Sequence, residues 1–178
     1  MKGHCILSHG FESGPDATKV TALAEVAESL GWTHERPDYT GFDAQTDVSA
    51  LGNVMARREH LRARIAEALP KGPVVLAGSS LGSYISAQES LLAPVAGLFL
   101  MAPPVFRELQ DASLHLDAAA VPISIVHPWR DELIPAQHVI DWAAPRRARL
   151  LLVDDTHRLS DHVETSAQAF GQFLQSLR

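Results

Sequence analysis

The chain of 178 residues contains one cysteine, Cys5, and aromatic residues make up only 6% of it. A single cysteine excludes an intrachain disulfide and a zinc cluster built from cysteines, and it fits a reducing compartment. Basic residues are also fewer than acidic ones: the chain has 15 Lys and Arg and 21 Asp and Glu, which gives a net charge of −6. Nucleic-acid binding needs a basic face for the phosphates, so this balance argues against a nucleic-acid partner.

Long apolar runs are missing as well. The longest, residues 94–106, is too short to span a bilayer and contains three prolines. The apolar run that follows Lys2 is too short for the core of a signal peptide, and no small-residue cleavage site follows it. We therefore expect a cytoplasmic protein without a membrane partner.

The pattern along the chain is an alternation of apolar and amphipathic segments. Strands are predicted at residues 5–8, 33–36, 73–77, 95–101, 121–127 and 150–153, and helices at 17–30, 53–69, 81–93, 136–143 and 163–177. Strands that are apolar at nearly every residue are buried on both faces, and helices between them imply crossovers in a parallel sheet. The prediction is one α/β domain over residues 1–178, a three-layer αβα sandwich with a mostly parallel sheet of about six strands.

The segment Gly78-Ser79-Ser80-Leu81-Gly82 matches the pattern G-x-S-x-G. An apolar strand precedes it and a helix follows it, which is the setting of a nucleophile elbow. The two glycines would allow the strand and the helix to approach closely. Ser80 is therefore the candidate nucleophile, and the N–H of Leu81 is a candidate oxyanion donor. The alternative is an ordinary serine-glycine turn that caps a helix.

A serine nucleophile needs a base, and the base needs a carboxylate to orient it. In this arrangement the chain order is serine, acid, histidine. Asp131 follows the fifth predicted strand and His157 follows the sixth, so these two are the candidate acid and base. Glu132 and His162 are the alternatives for the two roles.

The loop after the first predicted strand, which begins His9-Gly10-Phe11, supplies the second predicted oxyanion donor, the N–H of Phe11. Residues expected to line a substrate cleft are His9, Glu12, Tyr84, Pro104 and Trp129. His127 is interpreted as a partly buried histidine bonded to backbone. The basic run of Arg57, Arg58, Arg62 and Arg64 is interpreted as a solvated helix face.

Four separated segments carry a family resemblance: residues 9–15 with Lys19, residues 78–84, Asp131-Glu132, and residues 155–157. In these segments the chain resembles the α/β-hydrolase superfamily and, within it, the small bacterial YqiA-type esterases. The resemblance implies hydrolysis of short acyl esters or thioesters without a cofactor. It also implies that the first two of the eight strands usual in the superfamily are missing. No segment is long enough for a lid domain, and residues 107–120 are the only candidate for a small cover.

Two alternatives come from other functional classes. One is a non-catalytic, hydrolase-like module that binds a ligand or a protein partner. The other is a metal-dependent hydrolase that uses a cluster of oxygen and nitrogen ligands. Its candidate ligands are Asp154, Asp155, His157, Asp161 and His162. Their spacing does not match the usual metal-binding patterns, so we predict no metal site.

Overall fold

The computed structural model describes residues 2–177 and contains two β-sheets. The strands are β1 (His4–Ser8), β2 (Thr33–Glu35), β3 (Val74–Ser79), β4 (Gly97–Met101), β5 (Phe106–Glu108), β6 (Ser113–His115), β7 (Ile123–Pro128) and β8 (Arg149–Val153). The helices are α1 (Thr18–Ser29), α2 (Thr40–Asp43), α3 (Val54–Ala68), α4 (Leu81–Ser90), α5 (Ala136–Arg146) and α6 (Val163–Ser176).

The main sheet has six strands in the order β2-β1-β3-β4-β7-β8, and all neighbouring pairs are parallel. Every residue of β3 and β4 is buried, as expected for strands covered on both faces. Ile6, Leu76 and Leu98 pack with α3, α4 and α5 on one face, while Leu7 and Phe99 pack with α1 and α6 on the other. The predicted three-layer α/β sandwich is confirmed.

The predicted helices are present, and their ends differ from the predictions by a few residues. Helix α3 begins where the Asn53 side chain accepts a hydrogen bond from the Ala56 amide, which satisfies one of the free N–H groups of the first turn. Helix α4 ends at Ser90, three residues earlier than predicted. Helix α5 continues to Arg146 with Pro145 in its last turn, so the predicted end at residue 143 is wrong.

Three short elements were not predicted. Strands β5 and β6 form a separate antiparallel hairpin that overlaps residues 107–120, the candidate for a small cover. Helix α2 has only four residues and lies between β2 and α3. Elements of three or four residues are too short to establish a periodicity, so the sequence pattern does not reveal them.

The interpretation of the basic run in α3 as a solvated face is wrong for Arg57, while Arg62 is 47% exposed. Arg57 is fully buried and pairs with Asp43. Arg58 and Arg62 both bond to Glu89 of α4, whose side chain is also fully buried. Arg64 bonds to Glu35 of β2. These cations face carboxylates on neighbouring elements because α3 packs against the sheet and α4. Within residues 2–177, no helix is both long and apolar enough to cross a membrane.

Candidate active site

Ser80 occupies the turn between β3 and α4 with φ 51° and ψ −116°. A positive φ at a residue with a side chain is strained, and the surrounding structure must hold it in place. The Ser80 amide donates to the Met101 carbonyl at 2.9 Å, and the Ser80 carbonyl accepts from the amides of Ser83 and Tyr84. Bonds on both sides of the residue therefore fix this backbone conformation.

The two glycines of the motif allow the close approach that the turn requires. A Cβ added at Gly82 would meet the Ser8 carbonyl oxygen and lie 2.6 Å from the Ser8 carbonyl carbon. A Cβ added at Gly78 would meet the backbone of Gly82. The strand before Ser80, the helix after it and the end of β1 are thus in backbone contact, and the elbow has no room for a methyl group.

We expect Gly82→Ala to lower the free energy of unfolding by about 1–3 kcal/mol or more, because the added methyl overpacks rigid backbone. Gly41→Ala is the matched control, since a Cβ there meets nothing within 4 Å. The control should not lower the stability and should raise it by up to about 1 kcal/mol, because Ala fits a helical position without strain and restricts the unfolded chain. Denaturant unfolding of both variants measures the difference. Equal stabilities would contradict the described packing of the elbow.

The structure brings Ser80, His157 and Asp131 together from three separate loops. Ser80 Oγ lies 2.9 Å from His157 Nε2, and His157 Nδ1 lies 2.8 Å from Asp131 Oδ2. An ionised Asp131 only accepts, so Nδ1–H of the neutral imidazole donates to it and the Nε2 lone pair faces the serine hydroxyl. The side chain of Asp131 is fully buried and that of His157 is 13% exposed. A proton can therefore pass from Ser80 to His157 without passing through bulk water.

Asp131 is held by its own loop. Its Oδ1 accepts from the amides of Leu133 and Ile134, each at 2.8 Å. Burial alone would raise the pKa of this carboxyl group. Hydrogen bonds from His157 and from the two amides act in the other direction, so that the pKa of Asp131 lies below its usual value. Asp131 is therefore ionised at neutral pH.

The lowered pKa of Asp131 predicts how its contribution to stability depends on pH. The unfolded-state pKa is close to 3.8, and the folded-state pKa lies below it. Above pH 3.8 this contribution is fully present, and it is lost as the pH falls through the folded-state value. The stability difference between the wild type and Asp131→Asn should therefore shrink below pH 3.8. Denaturant titrations from pH 6 downward measure this difference, and a constant difference would contradict the assigned environment.

His127 lies next to the same carboxylate, and its side chain is fully buried. Its Nε2–H donates to the Ile134 carbonyl at 3.0 Å and lies 3.5 Å from Asp131 Oδ2. Burial lowers the pKa of His127, which favours the neutral ring. The structure therefore agrees with the interpretation of a histidine bonded to backbone, and it also shows a contact with Asp131 that was not predicted.

The two alternatives for the acid and the base lie outside this chain of hydrogen bonds. Glu132 Oε2 accepts from the backbone amide of His157 at 3.2 Å, so it contacts the loop and not the ring. His162 Nδ1 bonds to Asp155 Oδ2 at 2.9 Å. Burial alone would raise the pKa of Asp155. The hydrogen bonds that it accepts from His162 and from the amides of Thr156 and Asp161 outweigh burial, so the pKa of Asp155 lies below its usual value. This second imidazole–carboxylate pair closes the loop that carries His157.

Lys19 holds the other flank of the His157 loop. Its Nζ donates to the Arg158 carbonyl at 2.6 Å, across 139 residues of sequence. Burial and the nearby Arg158 lower the pKa of Lys19 to about 8. The base therefore sits on a loop that is tied to α1 on one side and to the start of α6 on the other.

Four of the five candidate metal ligands, Asp154, Asp155, His157 and His162, bond to other side chains of the protein. Asp154 pairs with Arg130, Asp155 pairs with His162, and His157 contacts Ser80 and Asp131. In the part of the chain that the structure describes, no group of three or more His, Cys, Asp or Glu side chains is arranged to hold a metal ion.

Of the two predicted oxyanion donors, Leu81 follows Ser80 in the chain, and Phe11 follows Gly10, which lies near Ser80. Leu81 is the first residue of α4, so its amide has no acceptor within the helix. Phe11 is the second residue of a turn closed by a bond from the Ser13 amide to the Gly10 carbonyl. A Cβ added at Gly10 would lie 3.8 Å from the Cβ of Ser80, so this turn is in contact with the nucleophile.

The residues expected to line a substrate cleft have different environments. His9 is 1% exposed, its Nδ1–H donates to the Gly10 carbonyl, and its Nε2 accepts from the Tyr39 amide. The expectation that His9 contacts substrate is therefore wrong, because the protein itself occupies both ring nitrogens. Tyr84 and Pro104 are buried, while Glu12 and Trp129 are exposed.

A cavity of about 420 Å³ lies at the other end of β1, beside the first residues of β1 and β2. Its polar side chains bond to one another: His4 contacts Glu35, and Arg64 contacts both Glu35 and Glu67. Lys71 lies 3.8 Å from Glu67. The charged groups at this cavity are therefore paired with one another. The pairing of a hydroxyl with an imidazole, which nucleophilic catalysis requires, occurs at Ser80 and His157.

The model of the alpha/beta hydrolase family matches this chain over residues 5–176. The chain belongs to the alpha/beta hydrolase family, and the predicted resemblance to that superfamily is confirmed. No curated protein matches the chain.

Solved structures extend the comparison. A member of the alpha/beta superfamily of hydrolases from Xanthomonas campestris pv. campestris is 64% identical, with a TM-score of 0.94 over 99% of this chain and 100% of that one. A lidless α/β serine hydrolase from Xanthomonas campestris is 19% identical, with a TM-score of 0.65 over 98% and 83%. Est1E from Butyrivibrio proteoclasticus, with ferulic acid bound, is 17% identical, with a TM-score of 0.77 over 98% and 89%. The last two share the fold.

Proposed function

We propose that this protein is a serine hydrolase that cleaves small acyl esters or thioesters. The observation that carries the proposal is the unbroken chain of hydrogen bonds from Ser80 through His157 to Asp131, with distances of 2.9 and 2.8 Å. Three separate loops at the carboxyl ends of parallel strands supply these side chains, which is where ligands bind in open α/β sheets. Membership of the hydrolase family supports the same conclusion.

In the first half of the reaction, Ser80 Oγ attacks the carbonyl carbon of the substrate and its proton moves to His157 Nε2. The electron pair of the C=O double bond moves to the oxygen, which accepts hydrogen bonds from the amides of Phe11 and Leu81. The tetrahedral intermediate then expels the alcohol or thiol, which takes the proton from His157. The acyl group remains on Ser80 as an ester.

In the second half, water attacks the acyl-enzyme and gives its proton to His157 Nε2. A second tetrahedral intermediate forms at the same oxyanion donors. Its collapse releases the carboxylic acid, and the proton on His157 returns to Ser80 Oγ. Asp131 keeps the imidazole in the required tautomer and stabilises the imidazolium formed in both halves.

Residues 1–178 act as one domain without a separate lid, and the segment that contains the β5–β6 hairpin is the candidate for a small cover. The three side chains supply the nucleophile, the base and the orienting acid, so the proposed reaction uses no cofactor. The substrate is a small molecule rather than a nucleic acid or a membrane surface, and the place of action is the cytoplasm.

The alternative of a non-catalytic binding module predicts that the three side chains are present but misplaced. The two short hydrogen bonds and the ionised state of Asp131 favour catalysis over that alternative.

We expect Ser80→Ala to reduce the turnover of p-nitrophenyl acetate by a factor on the order of 10⁴ or more, because only background catalysis remains without the nucleophile. The fold should be unchanged, as judged by circular dichroism and thermal unfolding. Ser86→Ala is the matched control, since its hydroxyl only bonds to the Gly82 carbonyl in the same helix. Wild-type turnover in Ser80→Ala would contradict the proposal.

A pair of isosteric substitutions identifies the acid. Asp131→Asn should lower kcat by a factor of about 10⁴, because the Asn NH2 group donates to His157 Nδ1 and so stabilises the wrong tautomer, and because a neutral amide does not stabilise the imidazolium charge. Glu132→Gln should lower kcat by less than about tenfold, since Glu132 contacts only the backbone amide of His157. Steady-state kinetics at neutral pH measures both. A larger loss in Glu132→Gln than in Asp131→Asn would assign the acid to Glu132.

A further inference from the structure

We infer that the buried pair of Arg57 and Asp43 is a positioning device that holds the oxyanion loop, residues 9–12, and aims the Phe11 amide at the reacting carbonyl. The inference rests on the proposed function, because it assigns a role within the proposed oxyanion site. Neither residue contacts Ser80 or His157, so both act through the loop.

The pair is bidentate and enclosed. Arg57 Nε donates to Asp43 Oδ1 at 2.6 Å, and Arg57 Nη2 donates to Asp43 Oδ2 at 2.7 Å. The Arg57 side chain is fully buried and that of Asp43 is 4% exposed. The ring of Tyr39 lies below the guanidinium, with its centroid 4.6 Å from Cζ. The N–H groups of Arg57 that Asp43 does not use, on Nη1 and Nη2, remain free to donate to other acceptors.

Both members of the pair bond to the backbone of the oxyanion loop. Arg57 Nη1 donates to the His9 carbonyl at 2.8 Å, and Nη2 donates to the Gly10 carbonyl at 3.0 Å. Asp43 Oδ2 accepts from the Glu12 amide at 3.1 Å, where the backbone has a φ of +58°. The carboxylate therefore holds a residue in the left-handed region at one end of the loop, while the guanidinium holds the other end.

Planarity of the peptide bond connects these contacts to the Phe11 amide. The Gly10 carbonyl and the Phe11 N–H belong to one trans peptide, so they point in opposite directions. Besides Arg57, the Gly10 oxygen accepts from His9 Nδ1 at 2.8 Å and from the Ser13 amide at 3.2 Å. Three donors that fix this oxygen also fix the direction of the N–H.

The charge of Arg57 also acts on the strength of that donor. A cation bonded to a carbonyl oxygen draws electron density through the peptide bond, and hydrogen bonds in such a chain strengthen one another in a buried environment. The Phe11 N–H should therefore be a stronger donor to an oxyanion than an ordinary amide. Two buried charges are not needed for stability alone, since apolar replacements of such pairs are often equally stable.

The test uses the full chain and four variants. Arg57→Met/Asp43→Leu removes both charges together, so that no unpaired charge remains buried. Arg57→Lys keeps the positive charge but cannot reach both carbonyls and both carboxylate oxygens. Arg64→Met is the matched control on the same helix, because Arg64 bonds only to Glu35 and Glu67. Ser80→Ala reports whether turnover depends on the proposed nucleophile.

Two measurements separate a positioning role from a merely structural one. The first compares p-nitrophenyl acetate with its thionoester, in which sulfur replaces the carbonyl oxygen. Sulfur accepts hydrogen bonds weakly, so a well-aimed donor favours the oxygen ester, and loss of that donor reduces the preference. The second is hydrogen–deuterium exchange of residues 8–16 in the absence of substrate.

We expect the double variant to lose about 10²-fold in kcat for the oxygen ester with little change in KM. Its preference for the oxygen ester over the thionoester should fall at least tenfold, and exchange in residues 8–16 should accelerate. Arg57→Lys should lie between the double variant and the wild type, and Arg64→Met should match the wild type.

A folded double variant with wild-type kcat and wild-type preference would overturn the inference while leaving the proposed function intact. Unchanged exchange in residues 8–16 would overturn it as well, with or without turnover. Absence of Ser80-dependent turnover in the wild type would instead overturn the proposed function, and faster exchange in the variant would then support only the anchoring of the loop.

Discussion

The hydrogen bond between Ser80 Oγ and His157 Nε2 joins residues that are 77 positions apart in the chain. It forms only if β3 and β8 end at the same edge of the sheet with β4 and β7 between them, and if the elbow after β3 keeps Ser80 at a positive φ. The distance between Ser80 Oγ and His157 Nε2 therefore depends on the close packing at Gly78 and Gly82, on the buried strands and on the parallel strand order. An error of about 1 Å in such a contact can lower a rate by about 10²-fold.

The supports of this bond are polar and come from several elements. The loop of His157 is tied by Lys19, by the Asp155–His162 pair and by Glu132. The loop of Asp131 is closed by its own amides and by His127, while Arg57 and Asp43 hold the loop of Phe11. A carboxylate or a cation with a fixed partner limits the loop more strictly than apolar packing does, because hydrogen bonds are directional.

The sequence predicted the features that follow from local pattern. Apolar strands, amphipathic helices and the glycines around Ser80 each have a signature within a short window, and the positions of Asp131 and His157 follow from where predicted strands end. Arg57 could not be predicted as buried, since its neighbours in α3 are polar and its partner Asp43 lies in a four-residue helix without a pattern. His9 was misassigned for a related reason: its acceptor role depends on the Tyr39 amide, 30 residues away. Long-range polar pairing leaves no periodic signal.

The central claim is that Ser80 becomes covalently acylated during turnover. The most direct measurement is acid quenching of the enzyme during steady-state hydrolysis of p-nitrophenyl butyrate, followed by mass spectrometry of its peptides. The account predicts a butyryl group on Ser80 in the wild type and none on that peptide in Ser80→Ala. Turnover with no acylated peptide, or with the acyl group on another residue, would contradict it.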